Sequence, residues 1–169
     1  VAWDDILPEK VGWLFRLYVE GIEVTQAVQY YDSAEHLTDP ADRRTDNAVR
    51  LVANKPAWVR VYAGSILGAS GLTGTLEVQR RRWGLFWDTV AVLSPDPSSA
   101  TDVPASFLSD YAARRGAANG SLNFVIPAQE VIGQLRLVAR ISAGSRSAQR
   151  AIEVGATLRQ TLRLAGVMV

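Results

Sequence analysis

The run Thr73-Gly74-Thr75-Leu76-Glu77-Val78-Gln79-Arg80, the link Arg81-Arg82-Trp83-Gly84 and the run Leu85-Phe86-Trp87-Asp88-Thr89-Val90-Ala91-Val92-Leu93 decide how this chain is read. In the first run Leu76 and Val78 alternate with polar neighbours, the period of two that a half-buried strand requires. The second run is extended again. A glycine in the link can take a positive φ, so the three stretches together predict a β-hairpin with its tip near Trp83-Gly84.

The same grammar continues on both sides. Upstream, Ile22, Val24 and Val28 share one face of a strand running to Gln29, with Glu23, Thr25 and Gln29 on the other. After Pro56, whose missing N–H suits a strand's first residue, Val59, Val61 and Ala63 alternate with Trp58, Arg60 and Tyr62. Downstream, Leu122, Phe124 and Ile126 share a face until Pro127, and Leu135, Leu137, Ala139 and Ile141 face inward after Gly133. Two further stretches follow, near Ala148–Val154 and Leu158–Val169. About seven to nine short strands separated by turn signals predict an all-β chain folded as an antiparallel sandwich.

Two connections are long. Tyr30 to Val49 is polar and acidic at its centre, and Ser94 to Gly120 carries three prolines and a Ser/Ala-rich middle. A bare loop of that length is uncommon in a compact domain. Pro104 and the spacing of Phe107, Leu108 and Tyr111 predict one short helix over Ala105–Arg115. Residues 1–18 read as an N-terminal extension that packs on or pairs with the sandwich of residues 19–169. The chain opens at Val1 without a basic and apolar leader, and it ends in an apolar, strand-like run, so it reads as a domain cut from a longer protein.

Composition narrows the chemistry. With 169 residues, 48% hydrophobic and 21% charged, the chain is long enough for one self-sufficient core. It has no cysteine, which removes disulfides, thiolate metal sites and cysteine nucleophiles. Its single histidine, His36, removes a histidine-rich metal site. Eighteen basic against seventeen acidic residues leave a net charge of +1, which gives no reason to expect nucleic acid as a partner. No window approaches the run of about 18 apolar residues that marks a membrane span.

Three stretches carry a resemblance: Val19-Glu20-Gly21-Ile22-Glu23-Val24-Thr25-Gln26-Ala27-Val28-Gln29; Leu51-Val52-Ala53-Asn54-Lys55-Pro56-Ala57-Trp58-Val59-Arg60-Val61-Tyr62; and Ser121 to Ala128 with Gly133-Gln134-Leu135-Arg136-Leu137. Together they resemble immunoglobulin-like, adhesion-type (CARDB-like) β-sandwich modules of bacterial secreted and surface multidomain proteins. The resemblance implies an immunoglobulin-like sandwich, an extracellular or cell-surface location, neighbouring domains of the same chain as partners, and no catalytic residues or cofactor. The N-terminal segment and the long Ser94–Gly120 connection depart from it.

Four groups of residues are candidates for chemistry. Asp32, Glu35 and Asp39 on the acidic loop, with His36, Asp42 and Asp46 nearby, could converge on Ca²⁺, which takes six to eight oxygens. Against that, the spacing lacks a cation-loop signature and Arg43 and Arg44 repel a cation, so a solvated loop is the plainer reading. Glu20 with Glu23, or Glu77 with Asp88 across the hairpin, could serve as a glycosidase pair, although all four sit where outward-facing strand residues are expected. A serine triad has only His36 for its base and no nucleophile elbow. Arg80, Arg81 and Arg82 with Trp83 and Trp87 could form a contact surface for a glycan or protein ligand, by stacking and cation–π contacts. Equally, Trp87 can pack inward or beneath the arginine stems. The Trp58–Arg60–Tyr62 stripe marks a face that a loop or neighbouring domain covers. A non-catalytic docking, spacing or adhesion module is therefore expected, with a carbohydrate-binding module as the alternative.

Overall fold

The structure is a computed structural model that describes residue 14 and residues 16–31, 44–106 and 111–159. Ten strands run in chain order: β1 (Leu17–Thr25), β2 (Leu51–Val52), β3 (Ala57–Ser65), β4 (Ala69–Ser70), β5 (Leu72–Arg82), β6 (Phe86–Leu93), β7 (Asp102–Val103), β8 (Leu122–Ile126), β9 (Gly133–Ala143) and β10 (Arg146–Thr157). The helix α1 spans Tyr111–Gly116. One sheet has the order β1-β3-β8, the other β2-β10-β9-β5-β6, and β4 pairs with β7. Every ladder is antiparallel except the short β2–β10 contact.

Alternation dictates which faces meet. In the smaller sheet Ile22 opposes Val61, Val24 opposes Val59, and Val59 and Val61 oppose Phe124 and Leu122. In the larger sheet Val78 opposes Leu137 and Leu76 opposes Ala139. All of these belong to one buried cluster, so the two inner faces close a single core. Of the seven long strands, the first, second and fifth form one sheet. The other carries the seventh, sixth, third and fourth in that spatial order. This is the immunoglobulin-like arrangement in which the C, F and G strands gain a C′ neighbour.

The hairpin forms where expected. Trp83 (φ 49°) and Gly84 (φ 73°) both take positive φ, and the Leu85 N–H closes the turn on the Arg82 carbonyl at 3.1 Å. Positive φ at both central residues matches the right-handed twist of the flanking strands. A bulge between Val78 and Gln79 leaves Val90 as the extra residue of β6.

Two expectations need correction, and a third falls largely outside the described residues. The first strand stops at Thr25, and Val28 is exposed. Beyond Thr25, side-chain amides replace the ladder: Gln26 exchanges bonds with both the N–H and the carbonyl of Val52, and Gln29 does the same with Val49. Of the helix expected over Ala105–Arg115, the described part is helical from Tyr111, on to Gly116, residues 107–110 lie outside the described residues, and Ala105 is not helical but bridges to Ser65. The stretch expected from Leu158 lies outside the described residues from position 160, and β10 itself ends at Thr157. Among the described residues no helix is long and apolar enough to cross a membrane.

Candidate functional site

Two constellations of charged and aromatic side chains stand out, one on the outer face of the smaller sheet and one at the end of the β5–β6 hairpin. On the smaller sheet the rows Glu23–Arg60–Asn123 and Gly21–Tyr62 point away from the core by strand parity. They are nonetheless covered. The α1 segment lies over them, held by Arg60, whose guanidinium donates to the carbonyls of Arg114, Arg115 and Ala117 and to Ser121 Oγ. A cation fits there because the last carbonyls of a helix have no partner within it and carry the negative end of its dipole.

Beneath this cover Glu23 is 4% exposed. Its Oε1 accepts from Arg115 Nη2 at 2.7 Å and its Oε2 from the Tyr62 hydroxyl at 2.9 Å. Tyr31 stacks on Tyr62 at 5.5 Å between ring centroids. It reaches across Gly21, where any β-carbon would overlap the Tyr31 hydroxyl. Burial, reinforced by the Glu23 charge, pushes the Tyr62 phenol well above its usual range, so it serves as a neutral donor. Glu20 pairs with Arg114 at 2.8 Å. Glu20 and Glu23 are thus each neutralised by a separate arginine of α1. The sequence assigned both to an exposed face; the chain segment that buries Glu23 arrives from about ninety residues away, which periodicity cannot register.

The Glu77–Asp88 pair is not brought together. Glu77 opposes Val92 whereas Asp88 opposes Arg80, and because side chains alternate the two carboxylates project from opposite faces of the sheet. Asp88 pairs with Arg82. Glu77 accepts from Thr89 Oγ1, Arg140 and Gln79. These bonds, that from Thr89 foremost, lower its pKa from 4.5 to about 2. A carboxyl so held is no proton donor near neutrality.

A stability effect follows with a definite sign. The folded-state pKa is depressed, so Glu77 stabilises the fold above about pH 4.5, and that contribution fades as pH falls towards about 2. Because the group is near the surface, solvent reduces its worth to no more than about 1 kcal/mol. Urea titrations across this pH range are expected to show the loss in the wild type and a flattened acid limb in Glu77→Gln.

The second constellation is the end of the β5–β6 hairpin. β9 pairs with β5 only as far as Arg80, which opposes Leu135, so Arg81, Arg82 and the turn project beyond the sandwich as a two-stranded arm. At its base Arg80 pairs with Glu130 at 2.9 Å. The Arg82 guanidinium lies 4.5 Å from the Trp83 ring centroid and that of Arg81 5.8 Å from Trp87. Trp83 is 78% exposed, Leu85 76%, Phe86 61% and, farther along β6, Val92 64%. Trp87 is half-buried on the outer face, opposite Arg81. Arg80, Arg81, Arg82, Trp83 and Trp87 are therefore neighbours, as the sequence suggested. They do not form one flat platform, since Trp87 sits within the ladder and Trp83 at the turn. Leu85 and Phe86, exposed on the same arm, were missed because they read as ordinary strand residues.

Asp32, Glu35 and Asp39 lie outside the described residues. Among the described residues no group of three or more histidine, aspartate or glutamate side chains is placed to hold a metal ion.

Fold and geometry together define an antiparallel, immunoglobulin-like β-sandwich with an arginine-clamped cover on one face and an aromatic arm at one end. No protein-family model matches the chain, and no curated protein is significantly similar to it.

Proposed function

We propose that this chain is a non-catalytic docking or adhesion module, with the β5–β6 hairpin as its contact surface. The observation that carries this reading is the gathering of exposed Trp83, Leu85, Phe86 and Val92 on one hairpin. Large apolar side chains left in water close together, as Trp83, Leu85 and Phe86 are at the turn, mark interaction sites. The carboxylates considered for catalysis support it from the other side. Glu20, Glu23, Glu77 and Asp88 each bond to an arginine, so none stands ready to move a proton. The resemblance to adhesion-type modules points the same way and would set the module outside a bacterial cell, beside other domains of a longer chain.

A second reading, carbohydrate binding, draws on Trp83 alone, whose ring is open to solvent apart from the Arg82 guanidinium. Incubating the purified chain with a panel of soluble and insoluble polysaccharides, with and without Ca²⁺, separates the two. The docking reading expects no saturable depletion and no turnover. Saturable binding lost in Trp83→Ala would favour the glycan reading instead, and turnover would overturn both. Stability gives a parallel check by thermal melting. Trp83→Ala is expected to change stability by no more than about 0.5 kcal/mol, as for an exposed residue, and Trp87→Ala to cost about 1 kcal/mol because its ring is half-covered.

A further inference from the structure

A β-sandwich must deal with the outer edges of its sheets, because an unpaired row of N–H and C=O groups invites another strand. Three of the four edges here are dealt with by identifiable devices. The β8 edge is occupied by the preceding loop: Asp96 N–H donates to the Asn123 carbonyl at 2.7 Å and Ala100 N–H to that of Ser121 at 2.9 Å, while Ser99 Oγ accepts from Asn123 N–H at 2.9 Å. At the β1 edge Arg150 reaches from β10 to the carbonyls of Val19 and Glu20. β10 is covered by β2 only at Ala156 and Thr157, and the rest of its edge carries Arg146, Arg150 and Glu153, charges of the kind that discourage an added strand. The remaining edge is β6, which among the described residues pairs with β5 alone. It is eight residues long, holds one ionisable side chain, Asp88, and exposes Phe86 and Val92.

From the open β6 edge and its exposed side chains we infer that β6 pairs antiparallel with β6 of a second copy of this chain, joining two five-stranded sheets across a two-fold axis. The inference rests on the docking reading of the hairpin and names its partner. Self-complementarity is the argument for a second copy. Partners directly opposite one another must share a face of the sheet. Parity along β6 places Trp87 and Val92 on the outer face and Phe86, Asp88, Ala91 and Leu93 on the inner, with Val90 as the bulge. Two registers satisfy parity on both sides of the bulge; one sets Asp88 against Leu93 and Thr89 against Val92 of the other copy, and the second pairs the apolar side chains with one another. This second register sets Trp87 against Val92 of the other copy, Phe86 against Leu93, and Asp88 against Ala91. Each exposed apolar side chain then meets another apolar one, and the only charge on the strand meets no like charge. Thr89 and Val90 of both copies fall at the axis. The same register carries the arginine-bearing tip of each copy alongside the chain that leaves β6 of the other, where Asp96 lies.

The absence of cysteine permits a direct test. In Trp87→Cys/Val92→Cys the two new thiols of one chain are five residues apart, roughly 17 Å along a strand, too far to bridge. Across the inferred axis they are direct neighbours. Oxidation of the double variant is expected to give a covalent dimer, while Trp87→Cys or Val92→Cys alone stays unlinked. Sedimentation equilibrium of the unmodified chain is expected to give twice the monomer mass, and Val92→Lys the monomer mass with a cooperative melting transition retained, its midpoint lower only by what association contributes. A monomer at every concentration overturns the inference and leaves the docking reading standing with a different partner. A dimer that survives Val92→Lys, or that does not cross-link through the double variant, also overturns it. If Val92→Lys fails to fold, the cross-linking result decides alone.

Discussion

Arg115→Met is expected to lower the stability of the domain by about 3 kcal/mol, the cost of leaving a buried charge without its partner. In a chain of this size that moves the melting midpoint down by roughly 6–12 °C. The expectation comes from the exposure of the Glu23 side chain, only 5%, and from its bond to Arg115 at 2.7 Å. With the guanidinium gone, Tyr62 still donates one hydrogen bond but supplies no charge. Combining Glu23→Gln with Arg115→Met should recover part of the loss, because the uncompensated charge has then been removed as well, and a double-mutant cycle isolates that coupling. A fall of less than about 1 kcal/mol for the single variant would place the pair among exposed ion pairs of little worth. The α1 segment would then be a loose flap, and Glu23 would return as a candidate for chemistry.

The second large effect lies in the core. Phe124 is buried at the middle of β8, opposite Val59. Phe124→Ala removes an aromatic ring from between the two sheets and leaves a cavity, at a cost of about 4 kcal/mol, or roughly 8–16 °C in midpoint. Its neighbour Val125 faces outward and is exposed, so Val125→Ala serves as the control and should change stability by no more than about 0.5 kcal/mol. Equal losses at the two positions would mean that β8 is not one layer of a sandwich.

That contrast between adjacent residues was legible in the sequence. Leu122, Phe124 and Ile126 alternate with Asn123 and Val125, and the period of two needs no knowledge of the rest of the chain. The hairpin was legible for the same reason, its turn signalled by a glycine between two alternating runs. What alternation could not reveal is what lies over an outward face. Tyr62 and Glu23 have the parity of solvent-facing residues and are among the most buried polar side chains in the domain, because Arg114, Arg115 and Tyr31 cover them from distant parts of the chain. One signal was present: a strand carrying Trp58, Arg60 and Tyr62 on a single face has more apolar and cationic surface than water alone would favour, and a cover was expected there. The identity of that cover depends on contacts spanning 50 to 90 positions, and no local pattern specifies them. The arm is the converse case. Leu85 and Phe86 look like core residues by type and are exposed because β5 and β6 outrun β9, a matter of relative strand lengths that becomes visible only once the sheet is assembled.

The central claim is that the β5–β6 hairpin is where this module meets its partner. Amide hydrogen exchange, followed residue by residue in dilute and in concentrated solution, tests it most directly. The amides of β3, β5, β8 and β9 should exchange slowly at both concentrations, since they lie in paired ladders over the core. Those of β6 that face away from β5 should pass from fast to slow exchange as the chain associates. Fast exchange along β6 at both concentrations, with protection appearing on another part of the surface, would contradict the claim.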